Sequence, residues 1–244
     1  MQKEMKMKLA RASGTLVLAA LATMSSQFVL AQGAGGAAGA GAGPATSSRF
    51  SGVPDTGWYA GVNVGRSSAN IDNANITSNL LGSGFATTSI SNDDSDTGYK
   101  LYGGYKFNKN FALEGGYFDL GRFGFTATTL PAGTLNGNIK LNGLNLDAVG
   151  ILPINEKFSA FGRVGLNYAE AKDSFSGSGA VNVINPNPSK RDTNYKFGAG
   201  LQYDFTPALG MRAEAERYRI DDAVGSKGDV DVLSVGLVYR FSAR

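Results

Sequence analysis

From Trp58 to Phe241 the chain alternates apolar and polar residues with a period of two, and no helical stripe is sustained. Tyr195, Phe197, Ala199, Leu201, Tyr203 and Phe205 alternate with Lys196, Gly198, Gly200, Gln202 and Asp204. Leu233, Val235, Leu237, Tyr239 and Phe241 alternate with Ser234, Gly236, Val238 and Arg240, and Tyr99, Leu101, Gly103, Tyr105 and Phe107 with Lys100, Tyr102, Gly104 and Lys106. The pattern predicts eight strands, over 58–66, 99–107, 111–120, 139–152, 158–170, 195–205, 209–219 and 233–241. In the fourth, the phase changes near Asn142-Gly143, where a β-bulge would restore the facing. Segments of about 9 to 14 residues are long enough to cross a bilayer when tilted.

The connections alternate in length. Residues 108–110, 153–157 and 206–208 are tight turns, whereas 67–97, 121–138, 171–193 and 220–230 are long and polar. Short turns on one side and long loops on the other is the outer-membrane arrangement, and an even strand count returns both ends to the short-turn side. Periodicity alone does not say which face points inward. A soluble lipocalin-like carrier has the same alternation with its apolar face turned in. Three features favour the inverted membrane version: an export signal, aromatics gathered at strand ends as an interfacial girdle, and a polar face of small or charged residues suited to a narrow lumen. A closed barrel is the only β-structure that satisfies its backbone in lipid.

The export signal lies in residues 1–31. Lys3, Lys6, Lys8 and Arg11 precede the apolar run Leu16 to Ala22, and Val29-Leu30-Ala31 offers a cleavage site before Gln32. The run is far shorter than the roughly 20 residues a spanning helix needs. Residues 32–56 open with a nearly pure Gly/Ala stretch that cannot offset its own ordering entropy, so a disordered periplasmic tail is expected there. Residues 57–244 form the barrel domain.

Composition narrows the function. There are 34 Gly but no Cys and no His. Disulfides, thiolate metal sites and Cys nucleophiles are excluded, and the usual general base near neutral pH is missing. The expectation is no enzyme, no catalytic residue, no metal and no cofactor. The formal charge of +3 comes from the leader: without its four bases and Glu4, 19 of the 23 basic and 19 of the 20 acidic groups remain. That balance gives no basis for nucleic-acid binding.

Several segments resemble the transmembrane domain of the outer membrane protein A family. They are Gly57-Trp58-Tyr59-Ala60-Gly61, Gly104-Tyr105-Lys106-Phe107, Glu114 to Arg122, Gly200 to Pro207, and Leu233 to Phe241, in order and at matching spacing. The resemblance implies an all-β, eight-stranded antiparallel up-and-down transmembrane barrel in the Gram-negative outer membrane. It also implies a structural, surface-exposed role in envelope integrity and in loop-mediated adhesion or host contact. Longer family members carry a peptidoglycan-binding domain after the barrel. This sequence stops three residues past Phe241, so a barrel without that domain is expected. Tyr239 and Phe241 stand where the family's terminal aromatic is read by the barrel-insertion machinery.

If the odd-numbered residues of strands three, six and seven face lipid, Glu114, Gln202, Arg212, Glu214 and Glu216 face inward, and Arg163 does so by the same logic. An eight-stranded barrel is only just wide enough for side chains, so these charges should pair, Glu114 with Arg212 first. Their positions match an interior ion pair that, by the resemblance, acts as a gate. A static plug and a low-conductance, porin-like pore gated by ion pairs are the two alternatives. The acidic run Asn92 to Asp96 lacks the Gly and distal Glu of a calcium loop and is read as solvated. Lys172, Lys190, Arg191, Arg217, Arg219 and Lys227 lie near the predicted outer rim, where they could meet lipopolysaccharide phosphates. The expected partners are therefore outer-membrane lipid and lipopolysaccharide, the insertion machinery, and external ligands at the long loops.

Overall fold

The structure, a computed structural model, describes residues 54–221 and 227–241. The expected signal peptide, nearly all of the Gly/Ala tail and residues 242–244 lie outside the described residues. The elements run β1 (Gly57–Ala69), α1 (Asn73–Gly82), β2 (Ala86–Asp93), β3 (Ser95–Lys106), β4 (Phe111–Leu130), β5 (Gly133–Pro153), β6 (Phe158–Gly179), β7 (Ser189–Asp204), β8 (Leu209–Asp221) and β9 (Lys227–Arg240). Every pairing is antiparallel. β1 pairs with both β3 and β9, and β4 with both β3 and β5, so eight strands close on themselves. β2 continues the line of β3 upward along β4, pairing Ala86 to Asp93 with Leu130 to Gly124.

The inversion is present. Leu201 is 48% exposed and its neighbour Gln202 8%; Val235 and Phe197 are 54% and 41% exposed, against 3% for Arg163 and 2% for Glu214. Val62, Leu101, Leu144, Leu146, Val164, Leu166, Leu233 and Leu237 continue an apolar outer band far larger than a water-soluble monomer tolerates. At its short-turn end, Trp58, Tyr105 and Phe107 stack edge-on at 5.0 and 5.3 Å. Tyr203 with Phe205 and Tyr239 with Phe241 repeat that arrangement, both at 5.3 Å. These amphipathic and apolar rings suit the membrane–water boundary. An apolar outer wall rules out the carrier with its greasy face turned in.

Two expectations need correction. The links 67–97, 121–138 and 171–193 are largely strand: β4 and β5 run on to Leu130 and Gly133, β6 reaches Gly179, and β7 starts at Ser189. The first link also holds α1, whose N-cap Asp72 accepts from Ala74 and Asn75 N–H at 3.0 and 3.1 Å. There is also no bulge at Asn142-Gly143, since β5 keeps unbroken register with β6 from Gly133 to Pro153. The irregularity lies on the facing strand, between Asp119 and Gly121 of β4.

Both corrections have one cause. β5, β6 and β8 keep their facing, whereas β4 changes phase at Leu120, from Glu114, Phe118 and Leu120 inside to Phe123 and Ala127 inside; on all four the surroundings change above the apolar band. Lower down, Asn145 and Asp147 of β5 point inward and Leu144 and Leu146 outward. Higher up, Ile139 and Leu141 point inward and Lys140 outward. β8 does the same: Arg212, Glu214 and Glu216 are inside below, while Tyr218 and Ile220 are inside above, with Arg217 and Arg219 turned out. β6 matches, with Arg163 and Asn167 inside below and Ala169 and Ala171 inside above. Above the band these strands follow the water-soluble pattern, apolar in and polar out, because lipid no longer surrounds them.

Candidate functional site in the barrel interior

The interior is layered. At the periplasmic end Tyr59, Tyr102, Ala112, Val149, Phe161 and Val238 pack together. At the outer end Phe118, Leu120, Phe123, Leu141, Ala169, Ala171, Tyr218, Ile220, Val230 and Val232 pack together. Charged side chains fill the space between.

Glycine makes room for the lower rings. A Cβ on Gly61 would meet the Tyr102 ring at 2.4 Å, and one on Gly200 would meet the Phe161 ring at 2.5 Å. The Gly-rich polar face of the strands is thus a set of slots for large neighbours, the small-against-large alternation of a narrow barrel.

Four cations and four acids form the central layer: Lys100, Arg163, Lys196 and Arg212 against Glu114, Asp147, Glu214 and Glu216. Arg212 Nη1 donates to Glu114 Oε1 at 2.6 Å, and Tyr59 Oη donates to the same oxygen at 2.7 Å. Arg163 bridges Glu114 Oε2 at 3.0 Å and Glu214 Oε1 at 2.9 Å. Lys196 Nζ donates to Asp147 Oδ2 and Glu216 Oε1, both at 2.8 Å. Lys100 binds Glu214 and, at 2.7 Å, Glu216 Oε2. All eight side chains are buried.

Burying so many ions is costly unless each is paired and further hydrogen-bonded. Here the set is neutral, and aromatic faces add to the ion pairs. The Arg212 guanidinium lies 5.3 Å from the Tyr59 and Tyr102 ring centres and 5.0 Å from that of Phe161, while Lys196 Nζ lies 4.7 Å from that of Tyr218. Such contacts gain strength when desolvated.

The expected interior residues Glu114, Arg163, Arg212, Glu214 and Glu216 all lie in this layer. Gln202 lies just below it: its Oε1 accepts from Arg212 Nε at 2.7 Å and its Nε2 donates to Asp204 Oδ1 at 3.0 Å. Arg240 closes the periplasmic end on Asp204 at 2.5 Å. Sequence reasoning did not assign Lys100, Asp147, Lys196, Asp204 or Arg240 to the cluster. Strand parity is available for all five, but the phase change near Asn142-Gly143 masks the inward facing of Asp147. Tyr239 and Phe241 sit on the outer wall, and Phe241 N–H donates to the Trp58 carbonyl at 2.9 Å.

The bore is filled through these layers. The void beside Asn63, Lys100, Phe118, Glu216 and Tyr218 measures about 10 Å³, room for roughly one water molecule. Among the described residues no group of three or more acids is arranged to hold a metal ion.

Residues 54–244 match the OmpA-like transmembrane domain. The chain belongs to that family. It is 28% identical over 194 residues to Outer membrane protein A of Salmonella typhi, covering 77% of this chain and 49% of that protein. To the Attachment invasion locus protein of Yersinia pseudotuberculosis it is 27% identical over 149 residues, covering 61% and 74% of the two chains. The chain thus spans about half the length of the outer membrane protein A relatives it matches. The crystal structure of Neisserial surface protein A shares the fold, with a TM-score of 0.50 and 13% identity over 77% of this chain and 99% of that one. The OmpA-like chain is therefore an outer-membrane β-barrel of the Gram-negative envelope, with the apolar outer band as its lipid face.

At the rim, most of the cations expected there have acidic partners. Arg217 forms a two-pronged pair with Asp231 directly opposite, both contacts at 2.6 Å. Arg219 holds Asp229 at 2.9 Å, and Arg191 holds Glu170 at 2.8 Å. Lys172 also reaches Glu170, at 3.2 Å, and Lys190 reaches Asp192 at 3.5 Å. Hydrogen bonds from Lys172 and then Arg191 hold the Glu170 carboxyl below the usual glutamate range. The Lys227 side chain lies outside the described residues.

Proposed function

We propose that this OmpA-like barrel is a closed, non-conducting and non-catalytic scaffold. In this reading it strengthens the outer membrane and presents its tall outer sheet, formed by β2 and the upper parts of β4, β5 and β6, for contact with the outside. The observation that carries the proposal is the neutral charged layer locked between two aromatic and apolar layers. Glu114, Arg163, Gln202, Arg212 and Glu214 then act as a plug that ties β4, β6, β7 and β8 together across the bore. The relative named for attachment and invasion supports an outward contact role. The test is current through planar bilayers holding purified protein. Wild type and Arg212→Ala should both show negligible conductance, because Phe118, Leu120, Tyr218 and Ile220 seal the bore independently of the charges. Stepwise channels in Arg212→Ala would replace the plug with a gate.

Two finer contacts complete the proposal. Arg122, Lys140 and Lys172 stand directly opposite one another on three adjacent strands, on the outer wall just above the apolar band. Like charges so placed repel, and Lys140 and Lys172 find partial relief in Asp119 at 3.3 Å and Glu170 at 3.2 Å. Lipopolysaccharide phosphates would complete that neutralisation. Arg122→Ser with Lys172→Ser should lower retention of phosphorylated lipid A in native mass spectra and leave the dephosphorylated form unchanged. Equal losses of both would contradict the phosphate contact. Tyr239 and Phe241 are assigned to recognition by the insertion machinery, so Phe241→Ala should slow assembly in cells without changing the heat-dependent gel mobility of protein that does assemble.

A further inference from the structure

We infer that the outer mouth of the barrel is a binding cup for an uncharged, largely apolar small molecule taken from outside the cell. The inference goes beyond the scaffold proposal and stands on different residues. A cavity of about 300 Å³ lies between α1 and the inner wall of the tall sheet. That is at the small end of ligand pockets, which run from roughly 300 to 1,000 Å³. It limits the occupant to about the size of a bicyclic aromatic or a medium-length alkyl chain.

Three features define the ligand. The first is the lining. Phe123, Phe125, Leu135, Ile139 and Phe175 form the sheet side, and Ile76 with Leu80 faces them from α1. Ile76 and Leu80 are four apart, hence on one face of the helix. Phe125 and Phe175 stand with ring centres 6.5 Å apart over Gly137, where a Cβ would meet the Phe125 ring at 2.4 Å. An inward wall of paired rings above the lipid is what a soluble protein covers, and here it bounds a cavity instead.

The second is charge. Both carboxylates at the lip are engaged: Asp72 caps α1 through the Ala74 and Asn75 N–H groups, and Asp229 holds Arg219 at 2.9 Å. A charged ligand would enter an apolar cup with no counter-ion of its own, at a large desolvation cost. The third is the floor. Leu141, Ile220 and Val230 belong both to the cavity wall and to the upper apolar layer, so the cup is closed toward the charged plug. The occupant enters from outside and is held, not passed through.

The test uses full-length mature protein in lipid nanodiscs with isoleucine methyl groups labelled for NMR, and indole as the probe. Ile71, Ile76, Ile139 and Ile220 line the cup, while Ile151 packs at the periplasmic end and serves as the internal control. Indole should shift the four cup isoleucines along one saturating curve and leave Ile151 in place. Ile76→Trp, which fills the cup from the helix side, should abolish saturation with the Ile151 signal unchanged. Ile76→Asp should weaken binding at least tenfold, and indole-3-acetate should bind wild type at least tenfold more weakly than indole. Shifts that grow linearly without saturating would show partition into lipid and overturn the inference. So would saturation that survives Ile76→Trp, or equal binding of the charged and uncharged probes. Failure of the scaffold proposal would appear separately, as channel conductance.

Discussion

On β5, β6, β8 and β9 the lower and upper halves of the barrel wall use the same side-chain parity for opposite chemistry. In the lower half Leu144, Leu166, Val235 and Leu237 face out and Asp147, Arg163, Glu214 and Ser234 face in. In the upper half Lys140, Lys172, Arg217 and Asp231 face out and Leu141, Ala171, Ile220 and Val230 face in. Four strands carry the exchange, about Leu144 on β5, directly opposite Tyr168 on β6, and about Arg217 on β8 and Leu233 on β9; on β7 the inward positions above Lys196 stay polar, with Asn194, Asp192 and Lys190. A strand records its solvent in its alternation, and here that solvent changes from lipid to water part-way up.

The comparison can be broken most strongly from within the lower half. Lys196→Met removes the 2.8 Å partner shared by Asp147 and Glu216 from the buried layer and leaves Asp147 only Arg163, at 3.5 Å, as a cation partner among the described residues. Removing one member of a buried pair costs about 3–5 kcal/mol, so the midpoint of urea unfolding in liposomes, followed by the fluorescence of Trp58, should fall markedly. A matching apolar replacement of a whole ion set would be far milder, which separates unpaired charge from lost packing.

Depth-matched substitutions on one strand sharpen the contrast. Leu166→Arg on the lipid face of β6 should cost about 2–4 kcal/mol, as a cation near the bilayer middle does. Ser174→Arg, on the same face higher up, should change stability by less than about 0.5 kcal/mol, as a water-exposed substitution does. Equal costs at the two sites would erase the distinction between the halves. Within the upper layer, Ile220→Val removes one buried methylene and should cost about 0.5–1.5 kcal/mol in the same assay.

The smallest expected effect is at the rim. Glu170 is a surface group whose carboxylate is favoured by Lys172 and Arg191, so its folded-state titration lies below that of an ordinary glutamate. Its small stabilisation is present above the unfolded value and is lost as pH falls through the depressed one. NMR titration of its side-chain carboxyl should move back up in the Lys172→Gln, Arg191→Gln double variant.

The strand count, the closed outer-membrane barrel and its inversion were legible because the period of two survives over the lipid-facing part of every strand and aromatics mark the ends. Parity also placed Glu114, Arg163, Gln202, Arg212 and Glu214 on inward faces. What parity cannot give is which inward side chains share a level across the bore, since that depends on the stagger of the closed sheet. The eight-membered layer and its links through Lys100 and Lys196 emerged only with the register. The upper ends of the strands read as polar loops because Arg122, Lys172 and Asp192 resemble loop residues once the lipid-facing pattern ends. The sequence signal for them is a reversed alternation that already begins at the ends of the recognised strands, as in Ile139-Lys140-Leu141 and Arg217-Tyr218-Arg219-Ile220. α1 was missed for a similar reason: Asp72 as N-cap, with Ile76 and Leu80 four apart, is a short signal inside a polar stretch.

The central claim, that the exchange of chemistry along β5, β6, β8 and β9 marks the outer surface of the membrane, is tested most directly by spin-label accessibility along β6. The natural sequence has no cysteine, so Val164→Cys, Leu166→Cys, Tyr168→Cys, Lys172→Cys and Ser174→Cys can each carry one label in a lipid bilayer. Relaxation by oxygen should dominate at 164, 166 and 168, and relaxation by a water-soluble nickel chelate at 172 and 174, with the crossover between 168 and 172. A crossover above 174, or water access at 164 and 166, would contradict it.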